Sequence, residues 1–347
     1  MKKILRDHVF FKLIIITLFV TVPMYIYNVK RSDTFSYINN LYSIYDYYEE
    51  QAETNTVDSE YFTRLRDSSA SVIEAYENKE WKTLNASYLE YLNIERERNP
   101  YTYESELELN KSRYLAKTDI QKEDSDQYPV SGVNFMVECS KIIYPYLFIL
   151  FSCYVLSLLF DSNSKKNKIE TFSIGMICLI SGGFILHLIP YLIGTIGHGS
   201  SSLQYPYLWY EGYKAVYHPL TDFILPGICL IMFISVFLYE MMHIIYRLTN
   251  HKTISFLTGT VLSVSILYGI QNLQSLHQIS QYIPFTYLQL TDIISGNLAF
   301  LTSNYALTFI HGMICIGIGI LIETGILFLI KKHRRKIISD NAGLINI

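Results

Sequence analysis

Two short motifs have residue types and spacing suited to chemistry. Glu240-Met-Met-His243 sets a carboxylate and an imidazole one helical turn apart, a spacing that could hold a metal, but no further ligand pair sits in a neighbouring apolar run. Gly197-His198-Gly199-Ser200 brings a base near a hydroxyl, yet it lies in a polar stretch before Gln204-Tyr205-Pro206, where its glycines read as turn formers. No His-Glu-x-x-His pair, no Gly-x-Ser-x-Gly elbow and no Gly-x-x-x-x-Gly-Lys-Ser/Thr loop occurs. The sequence therefore predicts no enzyme, with no cofactor bound by this chain.

Other polar residues fall inside apolar runs, where they cost free energy unless they face protein or water. Glu240, His243 and Arg247 share one helical face at the end of such a run. Thr308, Gly312, Cys315, Gly319 and Glu323 recur at three- or four-residue spacing in another. The small side chains at Thr308, Gly312, Cys315 and Gly319 would let a second helix approach closely. Glu240, His243 and Glu323 then read either as a local polar rim or as part of a gate.

The elements that carry these residues are membrane spans. Of 347 residues, 50% are hydrophobic and only 17% charged, and the apolar ones gather into runs near the ~20 residues that cross a bilayer. That excludes a soluble globular protein, a disordered chain and a disulfide scaffold. The ~10-residue alternating segments of an outer-membrane barrel are missing as well. Six spans are predicted, at about Phe10–Val29, Cys139–Phe160, Phe172–Thr195, Thr221–Tyr246, Ile254–Asn272 and Ala306–Ile330. The fifth is the weakest, because Thr258, Thr260, Ser263 and Ser265 dilute it.

Charge gives an orientation. Lys2, Lys3 and Arg6 precede the first span. Lys165, Lys166 and Lys168 separate the second from the third, and Arg247 and Lys252 the fourth from the fifth. Lys331, Lys332, Arg334, Arg335 and Lys336 follow the sixth. With six spans all four clusters fall on one side, which the positive-inside rule makes the cytoplasm. Between Ser32 and Met136 there are 21 acidic and 10 basic residues; elsewhere 18 basic face 10 acidic. This split marks topology, and no aromatic-interleaved basic stripe suggests nucleic acid. Bulky Met24-Tyr25-Ile26-Tyr27 stands near the end of the first run where a peptidase needs small residues, so that run is expected to stay as an anchor. The five cysteines lie in or beside apolar runs and form no Cys-x-x-Cys pair.

The expected fold is an all-α polytopic membrane protein with six transmembrane helices and a helical extracellular domain between the first two spans. Its parts are residues 1–31 (cytoplasmic start and first span), 32–136 (extracellular helices), 137–331 (five spans) and 332–347 (basic cytoplasmic tail). In the extracellular part Tyr37, Leu41, Ile44 and Tyr48 form one apolar stripe at helical spacing. Phe62, Leu65, Val72, Ile73 and Tyr76 form a second, and Trp81, Leu84, Tyr88 and Leu92 a third. Asp58 suits a helix start and Asn99-Pro100 a stop. The tyrosines read as core and headgroup-layer filling rather than as a binding surface. Asn85-Ala86-Ser87 matches a glycosylation sequon, a pattern too short to carry weight.

The plan of one span, a large external domain and then five spans resembles the permease subunits of type-2 ABC exporters of the Gram-positive kind. Phe160-Asp161-Ser162-Asn163-Ser164-Lys165-Lys166-Asn167-Lys168-Ile169-Glu170-Thr171-Phe172 is similar to that family's first coupling helix. Tyr282-Ile283-Pro284-Phe285-Thr286-Tyr287-Leu288, with Asp292-Ile293-Ile294-Ser295-Gly296, stands where the family has short re-entrant external helices. Lys331-Lys332-His333-Arg334-Arg335 closes the likeness. The resemblance implies a plasma-membrane exporter of a peptide, lipid or drug-like substrate, with both termini cytoplasmic. It implies coupling loops at 161–171 and 247–253, with Lys165, Lys166, Ile169, Glu170, Phe172, Arg247 and Lys252 facing cytoplasmic ABC ATPase subunits. It further implies a re-entrant segment at 275–305, ATP held on those partner subunits, and a second permease copy or a paralogue in the bilayer. The alternative is a standalone receptor or assembly protein whose external helices bind a ligand.

Overall fold

The computed structural model describes residues 7–99, 102–162 and 168–344. Helices account for 78% of the chain, so the helical class holds. Among the described residues six are long and apolar enough to cross a membrane: one within Val9–Thr54, then Tyr144–Asp161, Lys168–His198, Leu220–Thr249, Lys252–Asn272 and Phe309–His333. A multi-pass membrane protein follows from their number and length. The chain divides into two compact units, Met1–Leu18 with Ser140–His187 and Leu225–Ile347, and Phe19–Cys139 with Leu188–Ile224. The division falls within α1 (Val9–Thr34) and within α8 (Lys168–His198).

The first unit is organised around α7 (Tyr144–Ser162), whose Phe148, Ile149, Cys153, Val155, Leu156 and Leu159 are fully buried. Helices α9 (Ile224–Thr249) and α10 (Lys252–Asn272) pack with it. Gly259 on α10 marks a close approach, since a Cβ there would meet Met242 and Cys153. Of the hydroxyls that weaken this span in the sequence, Ser263 is spent on its own backbone, whereas Thr260 Oγ1 is buried without a hydrogen-bond partner among the described residues. Ser263 donates to Gly259 O at 2.7 Å and Ser255 to His251 O at 2.9 Å.

The segment between the last two spans folds into the same core as a chain of short turns. It comprises α11 (Gln274–His277), 3-10 turns at Ser280–Tyr282 and Pro284–Leu288, α12 (Leu290–Ile294) and α13 (Asn297–Thr302). Phe285, Tyr287, Leu288, Leu290 and Ile293 are buried. Because short turns leave backbone groups unpaired, side chains satisfy them. Thr286 donates to Ser280 O at 2.7 Å, Tyr287 to Gln281 O at 2.9 Å and Asn304 to His277 O at 2.7 Å. The last helix, α14, runs Phe309–Leu344.

In the second unit α2 (Tyr37–Thr54), α3 (Ser59–Glu77) and α4 (Trp81–Glu95) enclose one core, and every residue of the three expected stripes belongs to it. Asp58 precedes α3 but does not cap it; its carboxylate accepts from Arg98 at 2.6 Å. Helix α5 (Tyr103–Leu115) opens with a reciprocal capping box between Thr102 and Ser105. Asn99 lies past the end of α4, and Pro100 falls outside the described residues.

Three expectations need correction. The second span does not run unbroken from Cys139: α6 (Gly132–Ile142) ends first, and α7 starts at Tyr144. Pro145 explains the break, because it lacks the N–H that would bond back to the Lys141 carbonyl and its ring crowds that carbonyl. The fold is not purely helical. Strands β1 (Pro206–Glu211) and β2 (Lys214–Pro219) pair antiparallel, from Pro206 opposite Pro219 to Glu211 opposite Lys214. Their two-residue turn is Gly212-Tyr213, with Gly212 at φ +64°, the Gly-first pattern that suits the twist of a hairpin. Lastly, the unit holding the stripes extends beyond 32–136, because this hairpin belongs to it: Tyr217 on β2 donates to Leu107 O on α5 at 3.1 Å.

Candidate functional sites

In the first unit the expected polar residues lie on two helices, α9 and α14. Arg247 donates from Nε to His243 Nε2 at 3.2 Å, and the His243 ring stacks on Phe160 at 5.0 Å. Glu323 on α14 is 8% exposed, and its Oε2 has no hydrogen-bond partner among the described residues. Glu240 sits on α9, one turn before His243. Neither acid meets a third ligand: no group of three His, Cys, Asp or Glu residues able to hold a metal occurs among the described residues.

The small-residue stripe of α14 packs unevenly. A Cβ on Gly312 would strike the Tyr287 ring, and one on Gly319 would lie 3.2 Å from both Phe237 and Pro284. Cys315 is half-buried. Thr308 is exposed and precedes the helix; its Oγ1 accepts from His311 N at 3.2 Å, so it caps the start of α14 and adds nothing to the packing face.

Of the residues expected to face an ATPase, Lys165 and Lys166 lie outside the described residues. Ile169, Glu170 and Phe172 occupy the first turns of α8, so this part of the stretch is the start of the third span rather than a separate helix. Ile169 is 73% exposed, whereas Phe172 turns its ring edge-on to Tyr239 at 5.1 Å. Lys252 opens α10 after a tight turn in which Thr249 and Ser255 share a 2.6 Å hydrogen bond, and Arg247 sits one turn from the end of α9.

Sequence reading missed a buried polar chain in this unit. Gly183 O lies 2.8 Å from His187 Nδ1 and can only accept, so Nδ1 carries the proton and Nε2 accepts from Ser140 at 3.2 Å. Thr291 in turn donates to Ser140 at 3.2 Å. A lone histidine in an apolar run was the available signal.

The second unit holds a polar cavity of about 330 Å³, lined by Trp81, residues 119–124, Val130, Ser131, His198 and Ser200–Ser202. The irregular stretch 119–131 forms one wall and is fixed by buried charge. Lys122 pairs with Glu108 at 3.1 Å, is 4% exposed at its side chain, and places its ammonium 4.2 Å from the Tyr37 ring centre and 5.1 Å from that of Tyr88. Lys111 pairs with Asp126, to which Tyr205 also donates at 3.4 Å. Glu123 accepts from Ser131, from Asn134 at 2.7 Å and from Val130 N at 3.4 Å. Burial still pushes the Glu123 carboxyl above its usual range. Burial also raises Asp124, against the pull of Lys122 and His198; its Oδ1 is shielded and has no hydrogen-bond partner among the described residues.

His198 closes α8, and Gly199 at φ +82° turns the chain away, with its N–H on Thr195 O at 3.0 Å. The His198 ring bonds to the Tyr25 hydroxyl rather than to Ser200, so the Gly-His-Gly-Ser stretch forms a helix end and no Ser/His pair. Asn85 is 2% exposed and donates to Ile120 O at 2.8 Å and Leu115 O at 3.3 Å, tying α4 to the cavity wall. Against known proteins, the chain matches no protein-family model, no curated protein and no solved structure.

Proposed function

We propose that this chain is the permease subunit of a type-2 ABC exporter in the plasma membrane, worked by separate cytoplasmic ATPase subunits and paired in the bilayer with a second copy or a paralogue. The observation that carries the reading is the segment Gln274–Thr302, which folds back into the core of the first unit between the last two of six apolar helices. A plain external loop has no reason to bury Phe285, Tyr287 and Leu290. A segment that shapes the outer end of a pathway does. The four Lys/Arg clusters support cytoplasmic termini, and they leave the helices of 37–115 outside. ATP then binds the partners, and closure of those partners is passed to the spans as rigid-body motion.

The test is purification of the chain from its native membrane. Recovery of an ATPase subunit, whose hydrolysis in membranes responds to the transported compound, is the expected outcome. The polar cavity of the second unit favours the other reading, a receptor. Recovery of the chain without any ATPase, together with ligand binding by that unit, would establish the receptor in place of the permease.

A further inference from the structure

Three of the spans leave a groove of about 200 Å³ in the first unit, where α1, α7 and α10 come together. Lys12 and Tyr154 carry the only polar side-chain groups in its lining. The rest is aliphatic or phenyl surface, from Ile16 on α1 to Leu150 on α7 and Phe256 on α10. The Tyr154 ring stands edge-on to Phe256, with ring centres 5.8 Å apart. The Lys12 ammonium lies 5.6 Å from the centre of that tyrosine ring and donates to its hydroxyl at 3.2 Å. An ammonium has three N–H donors, of which Tyr154 takes one. No carboxylate among the described residues pairs with this cation.

A lysine in a span is costly unless its stem lies along apolar surface and its charge reaches the headgroup layer. Lys12 stands one turn inside the start of α1, and Phe256 one turn inside the start of α10. The charged part of the groove is therefore near the ends of these helices, and on the orientation given by the Lys/Arg clusters it meets the cytoplasmic leaflet. Hydrocarbon is what surrounds an apolar groove between spans. Charge then chooses among lipids: a cation with donors to spare complements a phosphate, and most of all one on a lipid of net negative charge.

We propose that this groove seats one acyl chain of an anionic glycerophospholipid, whose phosphate meets the Lys12 ammonium. The proposal rests on the membrane class of the protein and holds for a permease and a receptor alike.

The experiment counts lipids bound to the full-length protein by native mass spectrometry, during titration in detergent with phosphatidylglycerol and phosphatidylcholine of identical chains. Phosphatidylglycerol should bind the more tightly. Lys12→Gln should weaken the first phosphatidylglycerol by about tenfold, as loss of a charge-assisted hydrogen bond does, and phosphatidylcholine much less. Lys332→Gln, at an exposed position far along α14, should change neither. Ile16→Trp, which fills the groove from a position 41% exposed, should weaken both lipids. Equal binding of the two lipids by the parent protein, equal effects of the two lysine variants, or full binding in Ile16→Trp would overturn the proposal. Displacement of the lipid by glycerol 3-phosphate would overturn it too, and would make Lys12 part of a site for a soluble phosphate. Should Ile16→Trp fail to fold, the contrast between Lys12→Gln and Lys332→Gln decides alone.

Discussion

Lys122 places its ammonium 3.1 Å from Glu108 Oε1, but the two side chains are unequally buried, at 4% and 28% exposed. This asymmetry predicts unequal costs. Glu108→Gln leaves a buried cation short of its nearest counter-charge, with an expected loss of about 3 kcal/mol. Lys122→Met leaves the less buried partner, although Glu108 Oε1 itself is shielded, and fills the space between Tyr37 and Tyr88 with apolar atoms, so its cost should be the smaller of the two. Thermal unfolding of the purified protein measures both. Equal losses would show that the pair acts only through its mutual attraction.

Glu123 makes the second unit respond to acid in an uncommon direction. Its carboxyl is raised by burial, so the native state keeps the proton to a higher pH than the unfolded chain does. Between the ordinary glutamate value of about 4.3 and the raised native value, the native state binds more protons. Its contribution to stability therefore falls as pH rises through that window and is regained on acidification. Glu123→Gln should flatten the slope of melting temperature against pH in this range. An identical slope in the variant would assign the dependence to other groups.

The stripe on α14 gives a paired test. Gly319→Leu would drive a side chain into Phe237 and Pro284, while Leu321, 73% exposed, has no such neighbours to lose. Overpacking of this kind costs about 1–3 kcal/mol, so Gly319→Leu should reduce the yield of folded protein in membranes and Leu321→Ala should not. Tolerance of both changes would mean that this face meets lipid.

On the permease reading, the apolar anchor for the ATPase falls to Ile169, because Phe172 is turned to Tyr239. Ile169→Asp should weaken ATPase co-purification or uncouple hydrolysis from transport, a loss of about 1 kcal/mol or more of binding. Lys165→Ala and Lys166→Ala should do much less, as exposed charges contribute little. The reverse ranking would mean that the stretch works by charge alone.

The spans and the three helical stripes were legible in the sequence because each obeys one periodicity over many residues, as Tyr37, Leu41, Ile44 and Tyr48 do. The cavity was not. Its wall, 119–131, has no period at all and reads as a solvated acidic linker until Lys111 and Lys122 are seen paired beneath it. The hairpin was hidden by length, since six residues a side of mixed aromatic and polar character leave only Gly212-Tyr213 as a sign. The Thr291–Ser140–His187 chain joins three distant positions, and spacing says nothing about such contacts. Glu240 and Glu323 were each visible as costly residues, but what shields each of them depends on how α9 and α14 pack.

The burial of Asn85 bears on the choice of expression host. Oligosaccharide transfer in a eukaryotic secretory pathway acts on the extended nascent chain, and Asn85-Ala86-Ser87 satisfies its sequence requirement. The amide nitrogen that would carry the sugar is the one that holds the Leu115 and Ile120 carbonyls. A glycan attached there could not be accommodated at a position 2% exposed. On the reading that places the helices of 37–115 outside, material made in such cells would split into a folded, sugar-free fraction and a modified fraction retained by quality control, and Ser87→Ala would merge the two.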